Sequence, residues 1–433
     1  MAAYQAGRYA DALSLCERII ERLPQDGDAR MWLGMIAMAE RRWPDAIAAF
    51  DCALQIRVDP WTLVNLGACY AKERQLQDAL YCLESATQVM PDLVEARLEL
   101  AALLHALERF DEALSQLAVA QCLDAGDHRI ELRRGCTLAA LGRYDDAHQA
   151  FARAASRAGR FSYPALVAFD RATYDTLPDT PLAVTPPTPA KDPGPPSAEV
   201  KGVVLVSFNP PYARKYGFPF MRSYAAHASA GLLLHAHIFD PDETIVDETR
   251  RVAQSCGLRD FAVSTEASPY AANVPQQRKA YYACGRLVHL PHWLDLYRQP
   301  ILTLDADFIV EGPLDALFDA DPAQDLRLNP RRPVDSPWLD VIANVILARP
   351  TAAARNYFGR VGRYAMQQLN AHPDAWLVDQ AALWCVLKMM QRFGTPPAVG
   401  WFEPEEQSGL WHIGHAYDHL LEDPRFTRYA GAG

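Results

Sequence analysis

An acidic residue followed by alanine recurs through the first part of the chain, with the alanine at positions 12, 46, 79, 113 and 147. The intervals are 34, 33, 34 and 34 residues, and a fixed period of that length means one small structural unit repeated and stacked on itself. Aligned on the alanine, the position four residues later reads Cys16, Phe50, Leu83, Leu117 and Phe151. The position seven later reads Ile19, Ala53, Ala86, Ala120 and Ala154, and the position twelve earlier reads Gly34, Gly67, Ala101 and Gly135. Small residues in two columns with larger apolar ones between them are what two antiparallel helices need to approach closely. Pro24 and Pro91 stand where a second helix should end, since proline cannot continue one.

This pattern resembles the tetratricopeptide repeat over nearly all of residues 1 to 160. The resemblance implies about five helix pairs in an all-α superhelix whose concave face binds extended peptides or partner proteins. Gly7 already stands at a turn between helices, so the first unit is expected to lack most of its leading helix. Residues 161–177 are expected to form a closing helix over the last repeat. Prolines 178, 181, 186, 187, 189, 193, 195 and 196 then crowd together as a semi-rigid linker. Residues 161–198 therefore separate two domains, 1–160 and 199–433.

The net charge of −11 and pI near 5.6 argue against a nucleic-acid partner. Nine cysteines without a C-x-x-C pair suit reduced thiols rather than a disulfide framework. No apolar run reaches the roughly 18–20 residues a membrane-spanning helix needs, and Met1 is not followed by a signal-peptide pattern. A soluble, cytoplasmic protein is the expectation.

From residue 199 short apolar runs alternate with longer amphipathic ones, which predicts an α/β domain with a mostly parallel sheet. Strands are expected at 202–208, 232–239 and 261–264, and helices at 220–230, 247–256 and 276–296. The next strand, Ile301 to Val310, carries two acids, Asp305 and Asp307, in an otherwise apolar run. Burying ionised carboxylates is costly unless they are paired or bound to a metal. On an extended backbone these two share a face and converge on one point, where a hard divalent cation fits. The alternative is that the strand ends at Leu304 and the acids cap a turn. The carboxyl ends of such strands form the ligand crevice, which Phe208 and Asn209 would share with the acids.

In order along the chain stand Leu304-Asp305-Ala306-Asp307, Ile342-Ala343-Asn344-Val345, Asp379-Gln380 and Trp411-His412-Ile413-Gly414-His415. This order resembles the GT-A fold of nucleotide-sugar glycosyltransferases, most closely the retaining glycogenin and bacterial galactosyltransferase type, over residues 200–420. The resemblance implies a Rossmann-like domain that moves a sugar from a nucleoside diphosphate, UDP above all, to a protein, peptide or glycan acceptor. Asp305 and Asp307, with His412 or His415, would ligate Mn2+ or Mg2+. Phe208, Asn209, Tyr216, Arg286, Asp305, Ala306 and Asp307 would bind the donor, and Asp379 and Gln380 would lie on the reacting face. Retention needs either a nucleophilic carboxylate or front-side attack.

Two boxes depart from that family. Ile342 and Asn344 replace its asparagine and glycine, and the terminal box reads His-x-Gly-His without the family's lysine. A catalytically silent transferase fold acting as a scaffold is the alternative. The Asp-x-Asp also resembles the opening motif of haloacid-dehalogenase phosphatases. That motif starts its domain, however, and here it lies about a hundred residues inside.

Overall fold

The computed structural model describes residues 2–159, 163–179, 182, 184, 187–189, 200–227, 230–319, 321–331, 336, 339–413 and 418–430. The chain divides into two compact units, Met1–Arg160 and Phe161–Gly433.

The first unit is built from helices in antiparallel pairs. After a short α1 (Ala2–Gln5) come α2 (Tyr9–Arg22), α3 (Gly27–Ala39), α4 (Trp43–Ile56), α5 (Pro60–Lys72) and α6 (Leu76–Val89). These are followed by α7 (Val94–Ala106), α8 (Phe110–Leu123), α9 (His128–Ala140) and α10 (Tyr144–Arg157). The small-residue columns are the contact lines of the pairs. A methyl group added at Gly34 would stand 2.5 Å from the Phe50 ring, and one at Gly135 would stand 2.6 Å from the Phe151 ring. The turn inside each pair repeats as well, with positive φ at Gly7, Arg41, Arg74, Glu108 and Gly142. Glycine adopts that conformation freely, whereas the other three carry a modest strain.

The second unit begins with a 3-10 turn (Tyr163–Leu166) and α11 (Arg171–Thr176). The expected single closing helix is therefore broken, with Pro164 inside the 3-10 turn and Asp170 capping α11 through Thr173 N. This segment is part of the second unit. Tyr364 Oη donates to Leu166 O at 2.5 Å and accepts from Ala168 N at 2.8 Å, and Arg392 donates to Phe169 O. Of the proline-rich stretch, Thr188–Pro189 forms β1, and residues 190–199 lie outside the described residues.

The rest of the unit runs β2 (Gly202–Phe208), α12 (Pro210–Tyr212), a π-helical turn (Ala213–Gly217), α13 (Phe218–His227), β3 (Leu232–Phe239), α14 (Ile245–Ser255) and β4 (Phe261–Glu266). Then come α15 (Pro275–Val288), α16 (Leu290–Tyr297), β5 (Ile301–Leu304), β6 (Phe308–Val310), α17 (Asp315–Phe318), β7 (Leu326–Pro330) and β8 (Val341–Ala348). The chain continues through α18 (Ala352–Ala371), α19 (Val378–Phe393), β9 (Val399–Trp401), β10 (Leu410–His412) and α20 (Pro424–Ala430). The main sheet has the order β1-β4-β3-β2-β5-β8-β7-β9. The run β4-β3-β2-β5 is parallel, whereas β8 is antiparallel to both of its neighbours. Every residue of β2, β3 and β5 is buried, which is why these strands read as mostly apolar runs, with Ser207, His235, His237 and Thr303 as buried polar exceptions.

Two expectations are corrected here. The helix expected at 276–296 is two helices, because Pro291 has no N–H to bond back into the preceding turn. The strand expected from Ile301 to Val310 is likewise two strands, and residues 305–307 form a turn between β5 and β6.

Beneath α15 lies a buried polar network around Glu266. Its carboxylate receives His237 Nε2 at 3.1 Å, His289 Nε2 at 2.8 Å and the Tyr281 hydroxyl. Burial alone would raise this carboxyl, but those hydrogen bonds outweigh it and hold Glu266 down at about 2. A carboxyl depressed in the folded state stabilises at pH above its ordinary value and loses that contribution as the pH falls toward the depressed one.

Two predictions follow from this architecture. Gly135→Leu should destabilise the first unit by about 1–3 kcal/mol, read as a lower urea midpoint by far-UV circular dichroism; an unchanged midpoint would contradict the packing described. Glu266→Gln should flatten the loss of stability between pH 4.5 and about 2, measured as urea midpoint against pH.

Candidate functional site

The site is assembled at the carboxyl end of β5. A register shift between Leu328 and Asn329 pairs Leu328 with Ile346 but Asn329 with Ile342, so β8 bulges over residues 343–345. A bulge leaves ladder groups without their regular partners. Two nearby groups take the carbonyls exposed there: Asp305 N donates to Asn344 O at 3.1 Å, and Arg286 Nη2 donates to Ala343 O at 2.7 Å. Arg286 is 4% exposed and forms an ion pair with Asp305 through Nη1. Ala343 and Asn344 thus hold the guanidinium and the first acid side by side.

Asp307 is 2% exposed and is fixed from a distant part of the chain. β10 pairs antiparallel with β6, placing His412 opposite Phe308, and Ile413 N donates to Asp307 O at 2.9 Å. His412 Nε2 then stands 3.3 Å from Asp307 Oδ1. Burial lowers the imidazole's proton affinity, but the hydrogen bond and charge of Asp307, with Asp305 behind it, raise it above the ordinary value on balance.

One atom each from Asp305, Asp307 and His412 lies within 4.8 Å of the others, the one such cluster of potential metal ligands among the described residues. Neighbouring ligands of an octahedral ion with bonds of about 2.1 Å lie about 3 Å apart, close to the His412–Asp307 separation. Two carboxylates and an imidazole form a mixed oxygen and nitrogen donor set of the kind that binds divalent metals. The three residues fit a divalent ion. His415 lies outside the described residues.

The convergence of the two acids does not come from a shared strand face, as the sequence suggested, but from the turn after Leu304. In that sense the strand does end at Leu304, and the turn itself forms the cluster.

Asp379 is also drawn in. It stands at the start of α19, is 8% exposed, and accepts from Gln380 N at 2.9 Å. Burial raises its carboxyl affinity for a proton; the Arg286 charge opposes this and Asp305 adds to it. Arg286 therefore serves acids from two directions. The residue before α19, Leu377, has φ +61°, a strained conformation for a branched residue that sets the direction of the helix start. Gln380 Oε1 is buried with no hydrogen-bond partner among the described residues.

The remaining expected donor residues are placed differently. Phe208 is 3% exposed and its ring packs so closely on Gly217 that an added methyl there would lie 2.8 Å away. Ala306 is equally enclosed, within the core of the sheet. Asn209 caps α12, accepting from Tyr212 N at 3.1 Å. Tyr216 packs among Ile309, Ile413 and Phe426. The aromatic that does reach the acids is Tyr212, absent from the sequence-based candidates. Burial raises its phenol, and Asp307 raises it further by charge and by accepting the hydroxyl's hydrogen bond. The signal was available in Asn209-Pro210-Pro211-Tyr212, a capped helix start with proline in its first turn, which turns the third residue after the cap back over the strand end.

A tetratricopeptide-repeat family profile matches residues 1–57. No curated protein matches the chain. Among solved structures, YrrB, described as a TPR protein with an unusual peptide-binding site, is 22% identical, with 36% of this chain and 81% of that chain covered and a TM-score of 0.33. A crystal structure of MamA is 17% identical, covering 36% of this chain and 93% of its own, with a TM-score of 0.34. MamA from Desulfovibrio magneticus RS-1 is 18% identical, covering 36% and 89%, with the same TM-score of 0.34. Among the described residues no helix is long and apolar enough to cross a membrane. The N-terminal region is an array of tetratricopeptide repeats, and a separate α/β unit with a largely parallel sheet follows it.

Proposed function

We propose that the second unit is a metal-dependent glycosyltransferase that moves a sugar from a nucleoside diphosphate, UDP in the first instance, to an acceptor with retention. On this reading the repeats recruit a protein, peptide or glycan-bearing acceptor, or an assembly partner. The observation that carries it is the convergence of Asp305 and Asp307, from the turn between β5 and β6, and His412, from β10, beside a buried arginine.

Asp305, Asp307 and His412 would hold the divalent ion. When bound, it neutralises the charge that develops on a leaving diphosphate. The chain's own residues do the rest. Arg286, buried and always charged, sets the potential on the Asp305 side and pairs with that carboxylate. The β6–β10 pairing fixes the imidazole relative to Asp307, and Tyr212 donates to the same acid, so neither ligand must be ordered when the site fills. Asp379 holds its proton to higher pH than an ordinary carboxyl and faces the same arginine. It is the group best placed to exchange a hydrogen bond with a sugar hydroxyl there. Gln380 would bring its buried, unpartnered carbonyl oxygen to the same surface.

Mn2+ should bind the intact protein in calorimetry, and His412→Ala should weaken it at least about tenfold. Unchanged affinity in both His412→Ala and Asp307→Ala would remove the metal site. With a panel of UDP-sugars and Mn2+, the protein should release UDP, and EDTA or Asp307→Ala should slow release at least about a hundredfold. A folded, Mn2+-binding protein that turns over no donor would leave the scaffold reading standing instead.

A further inference from the structure

A buried chain of hydrogen bonds crosses β3 and β4 and shares no residue with the acid cluster. The Tyr297 hydroxyl, on α16, stands 3.0 Å from His235 Nδ1, and His235 Nε2 stands 2.7 Å from Ser264 Oγ. Ser264 Oγ is also 2.8 Å from His237 Nδ1, and His237 Nε2 ends the chain 3.1 Å from Glu266 Oε2. Both histidines, Ser264 and Glu266 are buried, whereas Tyr297, at the other end, is half-buried. The enclosed ring of Trp293 meets His235, His237 and His289 edge to face and keeps water from the imidazoles.

Ser264, His237 and Glu266 have the order of a nucleophile, a base and an acid. The serine is only 4% exposed, however, and two imidazoles engage its hydroxyl, so no substrate reaches it. Among the described residues these groups also do not converge on one point as metal ligands would. Instead the chain has a direction. Glu266 is ionised, so His237 must present Nε2–H to it. A neutral His237 then accepts at Nδ1 from the Ser264 hydroxyl, Ser264 accepts from His235 Nε2–H, and His235 accepts at Nδ1 from Tyr297. With both rings neutral, no other arrangement satisfies every member.

One added proton reverses every bond. We infer that the chain is a two-state proton relay, through which acid at Tyr297 places a positive charge on His237 against Glu266. A hydronium ion from solvent gives a proton to Tyr297 Oη as Tyr297 passes its own to His235 Nδ1. The proton on His235 Nε2 moves to Ser264 Oγ, and the serine's own proton moves to His237 Nδ1. His237 ends as imidazolium, while His235, Ser264 and Tyr297 end neutral; only O–H and N–H bonds change, and no electron is transferred.

The charge rests on His237 because, of the two rings in the chain, it alone faces a carboxylate. Burial above all, with His237 and His292 beside it, holds His235 down at about 3. Burial and His289 also lower His237, but Glu266 opposes them. The other titratable and charged groups around the relay are Asp240 with Arg278 and Tyr282, Tyr270, and Tyr281 and Cys284 of α15. On α16 they are His292 and Asp295, the latter paired with Arg355 of α18. Tyr281 and His289, five residues before Arg286 and three after it, bond the same Glu266. The proton therefore arrives at the acid that seats the arginine's helix.

The test is nitrogen NMR of the full chain carrying 15N-histidine, followed from about pH 8 to about pH 4. At neutral pH both rings should be Nε2–H tautomers. As the pH falls, His237 should become imidazolium and His235 should change to the Nδ1–H form at one shared midpoint, below the ordinary histidine value of about 6.5. Amide exchange over residues 281–289, corrected for its intrinsic dependence on pH, should quicken about fivefold through that midpoint. In folded Ser264→Ala the two rings should change independently.

Separate midpoints in the native protein, an Nδ1–H form of His235 at neutral pH, or a coupled change that survives in Ser264→Ala each overturns the relay. So does a protein that unfolds in acid with both rings still neutral. Exchange that ignores the shared midpoint overturns the link to the helix.

Discussion

The second unit is organised around one buried cation. Arg286 is sequestered from water, ion-paired to Asp305 and anchored on the carbonyl of Ala343. A buried guanidinium without partners would be strongly destabilising, so the surrounding structure has to supply them. It does so through the bulge in β8, which offers a carbonyl to the arginine and another to the amide of the acid it pairs with. Helix α15, which carries the arginine, is tied down by two other acids, half-buried Asp240 and buried Glu266. Tyr282 and Arg278, one and two turns earlier on the same face, bond to Asp240, and Tyr281 bonds to Glu266. The close approach of Gly285 to the Phe239 ring completes that seating.

Charge balance gives the site its character. Asp305, Asp307 and Asp379 lie around Arg286 and His412, and burial makes Asp379 hold its proton more tightly although the Arg286 charge opposes this. The pairing of His412 with Asp307 partly compensates the second acid. A protein does not gather carboxylates in a low-dielectric setting for stability alone, because replacing them with apolar groups is often neutral or stabilising. The arrangement is one that a divalent ion relieves, and that is the physical content of the proposed reading.

Much of the fold was legible in the sequence because its causes are local or periodic. The repeat columns identified the helix contacts, and the apolar runs identified β2 and β3 at the bounds observed. The failures share a different origin. The Asp305–Asp307 turn was read as continuous strand because the apolar residues on both sides are equally compatible with two short buried strands. The helix at 276–296 was read through Pro291 because its apolar period continues across the break. Tyr212, Ser264 and Tyr297 went unseen because their roles are set by partners far away in sequence, which no single window of residues encodes. Phe208 was placed at the right strand end, but whether an aromatic there faces a crevice or the core depends on what packs above it, and here that is Gly217.

The pairing of β10 with β6 also fixes an order of events. The chain is made from its N-terminus, and domains fold as they emerge. The repeats, whose contacts are nearly all between neighbouring helices, need nothing from later residues to fold. The turn at Asp305–Asp307 must wait for His412, about a hundred residues later. During synthesis the repeats are therefore complete well before Asp305, Asp307 and His412 can come together in the second unit. A nascent chain can engage whatever the repeats recognise while its second unit still lacks His412.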